Sequence, residues 1–259
     1  MASSPDPQVQ SLAKGMEILR VLTEADGPVT ATELARRTDM HQSSASRVLQ
    51  TLTTAGYVRK TTAGFLPDYG VLSLAQSVTK FPLVVRLQRT IELIADENPG
   101  YQINLAMLFR GEITYLLRAR AGQHAVTSWG FPLHVSSAAL RMLVDLPRDE
   151  ALAALRESRR QRGWARSEQV PATEEEVLDW ATSHVVHDVL LLDGWHENSV
   201  SGAIPFSSGD DHPTVLAISG DRPTATPTEV AFMLHDARRR VEAVVSTNNP
   251  NASPLPKGQ

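Results

Sequence analysis

Residues 33–58, ELARRTDMHQSSASRVLQTLTTAGYV, decide the fold of the first part of the chain. The stretch begins with a short helical pattern, which a turn at Asp39-Met40 interrupts. A second helical pattern covers about 42–55, and Gly56 follows it as a C-terminal stop. Two short helices joined by a tight turn predict a helix-turn-helix.

The flanking sequence adds a helix before this motif and a hairpin after it. An apolar stripe with helical spacing predicts the first helix. Its members are Leu12, Met16, Leu19 and Leu22. The Thr-x-x-Glu pattern at 30–33 predicts a capped start for the next helix. Residues 57–60 and 65–66 read as two strands around a polar tip, and another helix is expected over about 69–79. This order predicts a winged helix-turn-helix.

In such a fold the second short helix enters the major groove of DNA with its N-terminal end. Gln can pair with adenine, Arg with guanine, and Ser with bases or phosphates. The predicted DNA-binding residues are Arg36, Arg37, His41, Gln42, Ser43, Ser44, Ser46, Arg47, Arg59 and Lys60. Between residues 29 and 62, five basic residues and two acidic ones give +3, in a chain whose net charge is −4. The same spacing also fits an ordinary three-helix bundle with solvated arginines.

Three stretches carry a resemblance to a known family: SLAKGMEIL (11–19), the stretch 33–58, and FLPDYGVLSLAQSV (65–78). Together they resemble the DNA-binding half of the IclR family of bacterial transcriptional regulators. The chain departs from the family pattern at Lys14 (usually Arg), Asp39 (usually Gly) and Ser44 (usually Thr). The resemblance places Gln42, Ser43, Ser44 and Arg47 on the DNA-facing helix, and residues 59–62 on the wing.

From Pro82 onward, helical and strand-like patterns alternate. Strands are expected at about 102–109, 113–119, 188–192, 199–206 and 214–219. Helices are expected from Pro82, near Ser136, near Asp149, at the Thr-x-x-Glu of 173–176 and at that of 226–229. Antiparallel strands flanked by helices predict an α+β sandwich.

This region is similar to the GAF-like effector-binding domain of the same family. The similarity lies in GFPLHVSSAALRML (130–143), DGWHENSVSGAIPF (193–206) and VLAISGD (215–221). Ala139 and Leu140 replace the family's usual Gly-Lys, and Ala217 replaces a serine, whereas Ser219 and Gly220 remain. The resemblance implies a small effector, a carboxylic acid, and the replacements leave its identity open.

An effector pocket is predicted where these segments meet. Its expected residues are Trp129, Phe131, Ser137, Ala138, Trp195, His196 and Ser219. Aromatic walls suit a flat ligand, with His196 or a serine holding its carboxylate. Alternatively, the two tryptophans are large core residues.

Several classes of site are excluded or disfavoured by the sequence. The chain has no cysteine, which excludes disulfides and thiolate metal sites. It has no P-loop, Rossmann fingerprint, Gly-x-Ser-x-Gly or His-Glu-x-x-His, so no enzyme is predicted. His184 and His187 could share a helical face, with His196 and His212 nearby in sequence, but surface histidines are the favoured interpretation. No cofactor, metal, signal peptide or membrane span is predicted, and a cytoplasmic location is expected.

The predicted organisation has five segments. They are a flexible tail (1–10), a DNA-binding winged helix-turn-helix (11–68), a linker helix (69–81), an effector-binding domain (82–247) and a second flexible tail (248–259). The resemblance implies a transcriptional regulator that binds operator DNA as a homodimer or tetramer. The stripe on the first helix fits a dimer contact and fits core equally well. A metabolite sensor or enzyme with the winged helix as a protein-interaction module is the alternative.

Overall fold

The computed structural model describes residues 7–75, 81–129, 131–165, 168–196, 198–209 and 212–247. Contacts within the chain divide it into two units, residues 1–81 and 82–259. The predicted C-terminal tail and residues 76–80 of the predicted linker helix lie outside the described residues.

The first unit contains the predicted three helices and hairpin, followed by a further helix. Its elements are α1 (Pro7–Glu24), α2 (Ala31–Arg37), α3 (Gln42–Thr54), β1 (Val58–Lys60), β2 (Phe65–Pro67) and α4 (Gly70–Ala75). The expected tail over 1–10 is wrong from Pro7 onward, where α1 already begins. Proline is favoured in the first turn of a helix because its missing N–H has no acceptor to lose there.

A small apolar core holds these elements together. Its fully buried side chains include Ile18, Leu22, Leu34, Leu49 and Val58. The predicted stripe on α1 divides between core and surface, since Leu19 and Leu22 are buried while Leu12 and Met16 are 69% and 55% exposed. The stripe therefore forms core only in its C-terminal half.

The wing is tied to the segment before α2. Val29 and Phe65 exchange two backbone hydrogen bonds, of 3.0 and 2.8 Å. Gly64 precedes this contact with φ +145°, and a Cβ there would lie 2.7 Å from the carbonyl oxygen of Val29. A side chain at position 64 would push the wing away from the helices.

The second unit is an antiparallel sheet with helices on both faces, as expected for an α+β sandwich. Its helices are α5 (Pro82–Glu97), α6 (Ser137–Leu143), α7 (Arg148–Arg162), α8 (Glu174–Ser183) and α9 (Pro227–Thr247). Its strands are β3 (Tyr101–Phe109), β4 (Glu112–Ala119), β5 (Val126–Trp129), β6 (Val185–Val186), β7 (Val189–Asp193), β8 (Ser199–Pro205) and β9 (Thr214–Asp221).

The strands lie in the order β5-β4-β3-β9-β8-β7-β6. One apolar core joins the sheet to α5 and α9, and a second joins its other face to α6, α7 and α8. No helix within the described ranges has both the length and the apolar character needed to cross a bilayer.

The sequence did not predict the two edge strands, β5 and β6. Both are short, and each has a neighbouring strand on one side only, so their local patterns are weak. The short strand Val185–Val186 also corrects the expectation for the two histidines before and after it. Because α8 ends at Ser183 and His187 has φ +48°, His184 and His187 do not share a helical face.

Candidate DNA interface and ligand cavity

Helix α3 has one buried face and one polar exposed face. Ala45 and Leu49 pack into the core. Exposed side chains occur at i, i+3, i+4 and i+7 on the opposite face, at Ser43, Ser46, Arg47 and Gln50. The sequence prediction stopped at Arg47 and missed Gln50, although the helical period of the exposed positions includes it.

The start of α3 is held by local hydrogen bonds. His41 is the N-cap, and its Nδ1 accepts the backbone N–H of Ser43 at 3.4 Å. Gln42 Nε2 donates to Thr32 Oγ1 on α2 at 3.2 Å. Ser44 is half-buried. His41 and Gln42, two of the predicted DNA-binding residues, thus also stabilise the start of α3 and its join to α2.

Glu33 partly neutralises the two arginines predicted on α2. Arg36 Nε and Nη2 donate to its carboxylate at 2.9 and 2.7 Å, and Arg37 Nε donates at 2.6 Å. The hydrogen bonds from Arg36 and then Arg37 lower the pKa of Glu33 to about 2. Thr30 caps α2 by accepting the N–H of Glu33 at 3.2 Å, while the Glu33 carboxylate faces the arginines.

The remaining predicted cations are exposed on α3 and the wing. Among the described residues, Arg47, Arg59 and Lys60 have no carboxylate within salt-bridge distance. Lys14 instead stabilises the fold. Its Nζ donates to the carbonyl oxygen of Thr38 at 2.6 Å, and this hydrogen bond connects α1 to the end of α2. Arg47, Arg59 and Lys60 are therefore exposed cations on α3 and β1 whose charge no described carboxylate compensates.

A cavity of about 250 Å³ lies in the second unit, between the sheet and the segment that leads into α6. Five of the seven predicted pocket residues line it: Phe131, Ser137, Ala138, His196 and Ser219. Phe131 and His196 are neighbours, with ring centroids 5.8 Å apart.

The two predicted tryptophans differ from this group. Trp195 is 6% exposed and packs against Trp180 in the core at 4.4 Å between centroids, so it is not a cavity residue. Large aromatic side chains gain most free energy by such burial, which explains the correction. Trp129 ends β5, where its backbone pairs with Thr114, and its side chain lies outside the described part of the structure.

The floor of the cavity is a polar row across neighbouring strands. Gln102 on β3 lies opposite Ser219 on β9, which lies opposite Ser201 on β8. Asn104 pairs with Ala217 of β9 and Arg118 of β4. All six line the cavity together with Arg120 and Tyr115, and the sequence prediction included only Ser219.

A signal for this floor was present in the sequence. In the strand QINLAMLF, the two polar residues, Gln102 and Asn104, are two positions apart and therefore point to the same face of the sheet. Both are almost fully buried, at 9% and 5% exposure.

Tyr115 connects the floor to α6. Its hydroxyl lies 3.2 Å from Ser136 Oγ, which caps α6 by accepting the N–H of Ala139. Burial raises the pKa of Tyr115, so its hydroxyl stays protonated at neutral pH. The Arg118 guanidinium lies 5.0 Å from the centroid of the Tyr115 ring.

A separate buried histidine lies beyond the cavity. His134 Nε2 accepts the N–H of Ala165 at 2.7 Å, and its ring stacks on Trp164 at 4.0 Å. Burial and then the nearby Arg159 lower the pKa of His134 to about 4. Within the described ranges, no three histidine or acidic side chains are grouped as a metal site would require.

Comparison with known proteins agrees with this architecture. The model of the IclR helix-turn-helix domain matches residues 11–62, which include α2, α3 and β1. The transcriptional repressor IclR of Escherichia coli is 26% identical over 166 residues. Residues 11–62 are thus similar to the helix-turn-helix domain of the IclR family.

The alignment with the E. coli repressor covers 57% of this chain, and the chain spans 57% of that relative's length. An IclR family regulator from Brucella abortus has the same fold, with a TM-score of 0.76 and 22% identity over 96% of both chains. An IclR homologue from Microbacterium hydrocarbonoxydans, solved in complex with 4-hydroxybenzoate, has a TM-score of 0.62 and 18% identity over 92% of this chain and 100% of that one.

Proposed function

We propose that this chain is a member of the IclR family and a cytoplasmic, sequence-specific DNA-binding transcriptional regulator. In this proposal α3 lies in the major groove, and Ser43, Ser46, Arg47 and Gln50 face the bases. Arg59 and Lys60 on the wing contact the phosphate backbone. The second unit binds a small metabolite, a carboxylic acid, that changes DNA binding.

The exposed face of α3 carries this proposal. It presents hydroxyl, amide and guanidinium groups that repeat with the spacing of a helix turn. The opposite face, with Ala45 and Leu49, packs into the core. These are the group types that read base edges. The match of residues 11–62 to the IclR helix-turn-helix domain supports the same assignment and favours a regulator over an enzyme.

The cavity supports the effector-binding part of the proposal. It is enclosed largely by the sheet and α6 and contains polar groups on its floor. The Microbacterium homologue of the same fold holds an aromatic acid, 4-hydroxybenzoate. For this chain we propose a ligand of similar size that favours one of two arrangements of the regulator.

Assembly through a second copy of the chain completes the proposal. One recognition helix contacts only a few base pairs, so two copies on two half-sites gain affinity and specificity. Leu12 and Met16, which are exposed on α1, offer an apolar contact for such a dimer. Pairs of dimers would give a tetramer.

Selection of bound fragments from sheared genomic DNA tests the function. Purified full-length protein is incubated with the fragments at near-physiological salt, and the bound DNA is sequenced. Enrichment of one or a few palindromic sites, with affinity that falls steeply as salt rises, supports the proposal. A folded protein that enriches no site, alone or with cell metabolites, would favour the winged helix as a protein-interaction module.

A further inference from the structure

Buried amide side chains on β3 form a one-way hydrogen-bond relay that ends at an arginine. Arg120 Nε donates to Gln102 Oε1 at 3.0 Å. Gln102 Nε2 donates to Asn104 Oδ1 at 2.8 Å, and Asn104 Nδ2 donates to the carbonyl oxygen of Ala217 at 3.3 Å. Burying two amides is unfavourable unless they are hydrogen-bonded, so this relay fixes their orientation and that of Arg120.

The relay leaves one edge of the Arg120 guanidinium available. Its Nε is committed to Gln102, whereas no hydrogen bond within the described residues uses its two terminal nitrogens. Those two nitrogens form the planar fork that binds a carboxylate through two parallel hydrogen bonds. Gln102 therefore holds Arg120 in a position to bind an anion.

Arg118 provides a second guanidinium on the same face of the sheet, two residues earlier. Its Nη1 donates to Ser128 Oγ at 3.2 Å, and the group lies over the Tyr115 ring. Neither arginine has a carboxylate within salt-bridge distance among the described residues. Asp221 is the one acidic side chain among the residues that line the cavity, so the two arginines give the lining a formal charge of +1.

We propose that Arg118 and Arg120 bind the carboxylate of a small organic acid in this cavity, with Gln102 as the positioning residue. The inference rests on the proposed effector function and specifies how that ligand is recognised. The carboxylate then binds near β3 and β4, not at position 217, where the alanine methyl group offers no hydrogen-bond donor.

The rest of the cavity limits the shape of the acid. Ser219 and Ser201, across the floor from Gln102, present hydroxyl groups that suit a neutral polar group. Tyr115 and Phe131 provide aromatic surface. A volume of about 250 Å³ is below the range of drug-sized sites, which favours a ligand with a single ring.

The test compares an acid with its uncharged isostere. Binding of 4-hydroxybenzoate and 4-hydroxybenzamide to the full-length protein is measured by calorimetry at neutral pH. The wild type should bind the acid at least about 10-fold more tightly, because hydrogen bonds to charged groups contribute more than neutral ones. R118Q and R120Q should each lower the affinity for 4-hydroxybenzoate by about 10-fold or more and leave the affinity for 4-hydroxybenzamide nearly unchanged.

Two further variants separate positioning from folding. Q102M keeps the side-chain volume but removes the side-chain amide group. It should therefore weaken the binding of 4-hydroxybenzoate and leave the binding of 4-hydroxybenzamide unchanged. R89Q removes an exposed charge on α5 and should change neither. Circular dichroism checks that each variant is folded, and R120K, which keeps the charge without the fork, replaces R120Q if the latter unfolds.

The outcomes distinguish this inference from the proposed function. Acid binding that survives R118Q and R120Q, or a wild type that binds neither compound, overturns the arginine site. The genomic selection uses the wild-type protein and does not depend on these variants. If the arginine site is disproved, an observed enrichment of operator sites still supports the proposed DNA-binding function. Absence of that enrichment would instead count against the regulator.

Discussion

Glu33 and Arg36 form a two-point ion pair on the surface of α2, with Nε–Oε2 and Nη2–Oε1 distances of 2.9 and 2.7 Å. Arg37 shares the same carboxylate. The two arginines on the helix before α3 are thus partly neutralised in the free protein. In the proposed DNA-binding function, Glu33 tunes the positive charge that this unit presents to DNA.

Replacement of Glu33 by Gln should strengthen binding to DNA of any sequence. The substitution releases Arg36 and Arg37, and each additional phosphate contact should steepen the slope of log K against log salt by about 0.9. Fluorescence anisotropy with an unrelated duplex at several salt concentrations measures both effects. Glu150→Gln, an exposed site on α7, makes the same charge change in the second unit and serves as control. Equal slopes for all three proteins would contradict this role.

Replacement of Arg47 by Ala should cost about 1 to 3 kcal/mol of binding free energy on the operator and much less on unrelated DNA, if Arg47 reads a base. Lys60→Ala should weaken binding to both duplexes alike, because a lysine on the wing contacts phosphate. Titration of both duplexes with each variant at one salt concentration makes the comparison. A uniform loss for Arg47→Ala would place that residue on the backbone instead.

Most of the fold follows from hydrophobic period and capping residues. Apolar spacing together with capping and turn residues predicted α1 to α3 and the strands β3, β4, β7, β8 and β9. The edge strands β5 and β6 were not predicted, because a short strand that pairs on one side only has too weak an apolar pattern to be recognised in the sequence. Leu12 and Met16 continue the apolar stripe into solvent, and spacing cannot tell a core face from an interface.

The cavity was only partly predictable for a different reason. Gln102 and Asn104 could be assigned to one face from their spacing along a single strand. Arg118 and Arg120 meet them only through the register between β3 and β4, in which Asn104 lies opposite Arg118. That register depends on a bulge between Leu105 and Ala106, which no short sequence pattern specifies.

The buried His134 should make the second unit less stable in mild acid. Its pKa falls from an ordinary value of 6.5 to about 4 in the folded state, so below pH 6.5 the unfolded chain takes up a proton that the folded chain does not. Stability is therefore full above pH 6.5 and is lost as the pH falls toward 4. The loss between pH 7 and pH 5 should be about 2 kcal/mol.

Urea unfolding followed by tryptophan fluorescence measures this loss, because all four tryptophans lie in the second unit. His134→Phe keeps a ring against Trp164 but cannot titrate. The variant should be less stable at pH 7, since the N–H of Ala165 loses its acceptor, yet its stability should change less between pH 7 and pH 5. An unchanged pH dependence in the variant would assign the acid sensitivity to other groups.

The fragment 82–247 should fold without the rest of the chain and keep its ligand binding while losing DNA binding. Both apolar cores of the second unit consist of residues from that range, beginning at Leu83, and the core of the first unit draws only on residues up to Val71. Neither unit thus needs the other to bury its apolar side chains. Cooperative thermal unfolding of the purified fragment, followed by circular dichroism, would show independent folding. A fragment that lacks a cooperative transition would mean that the second unit depends on contacts or chain segments outside 82–247.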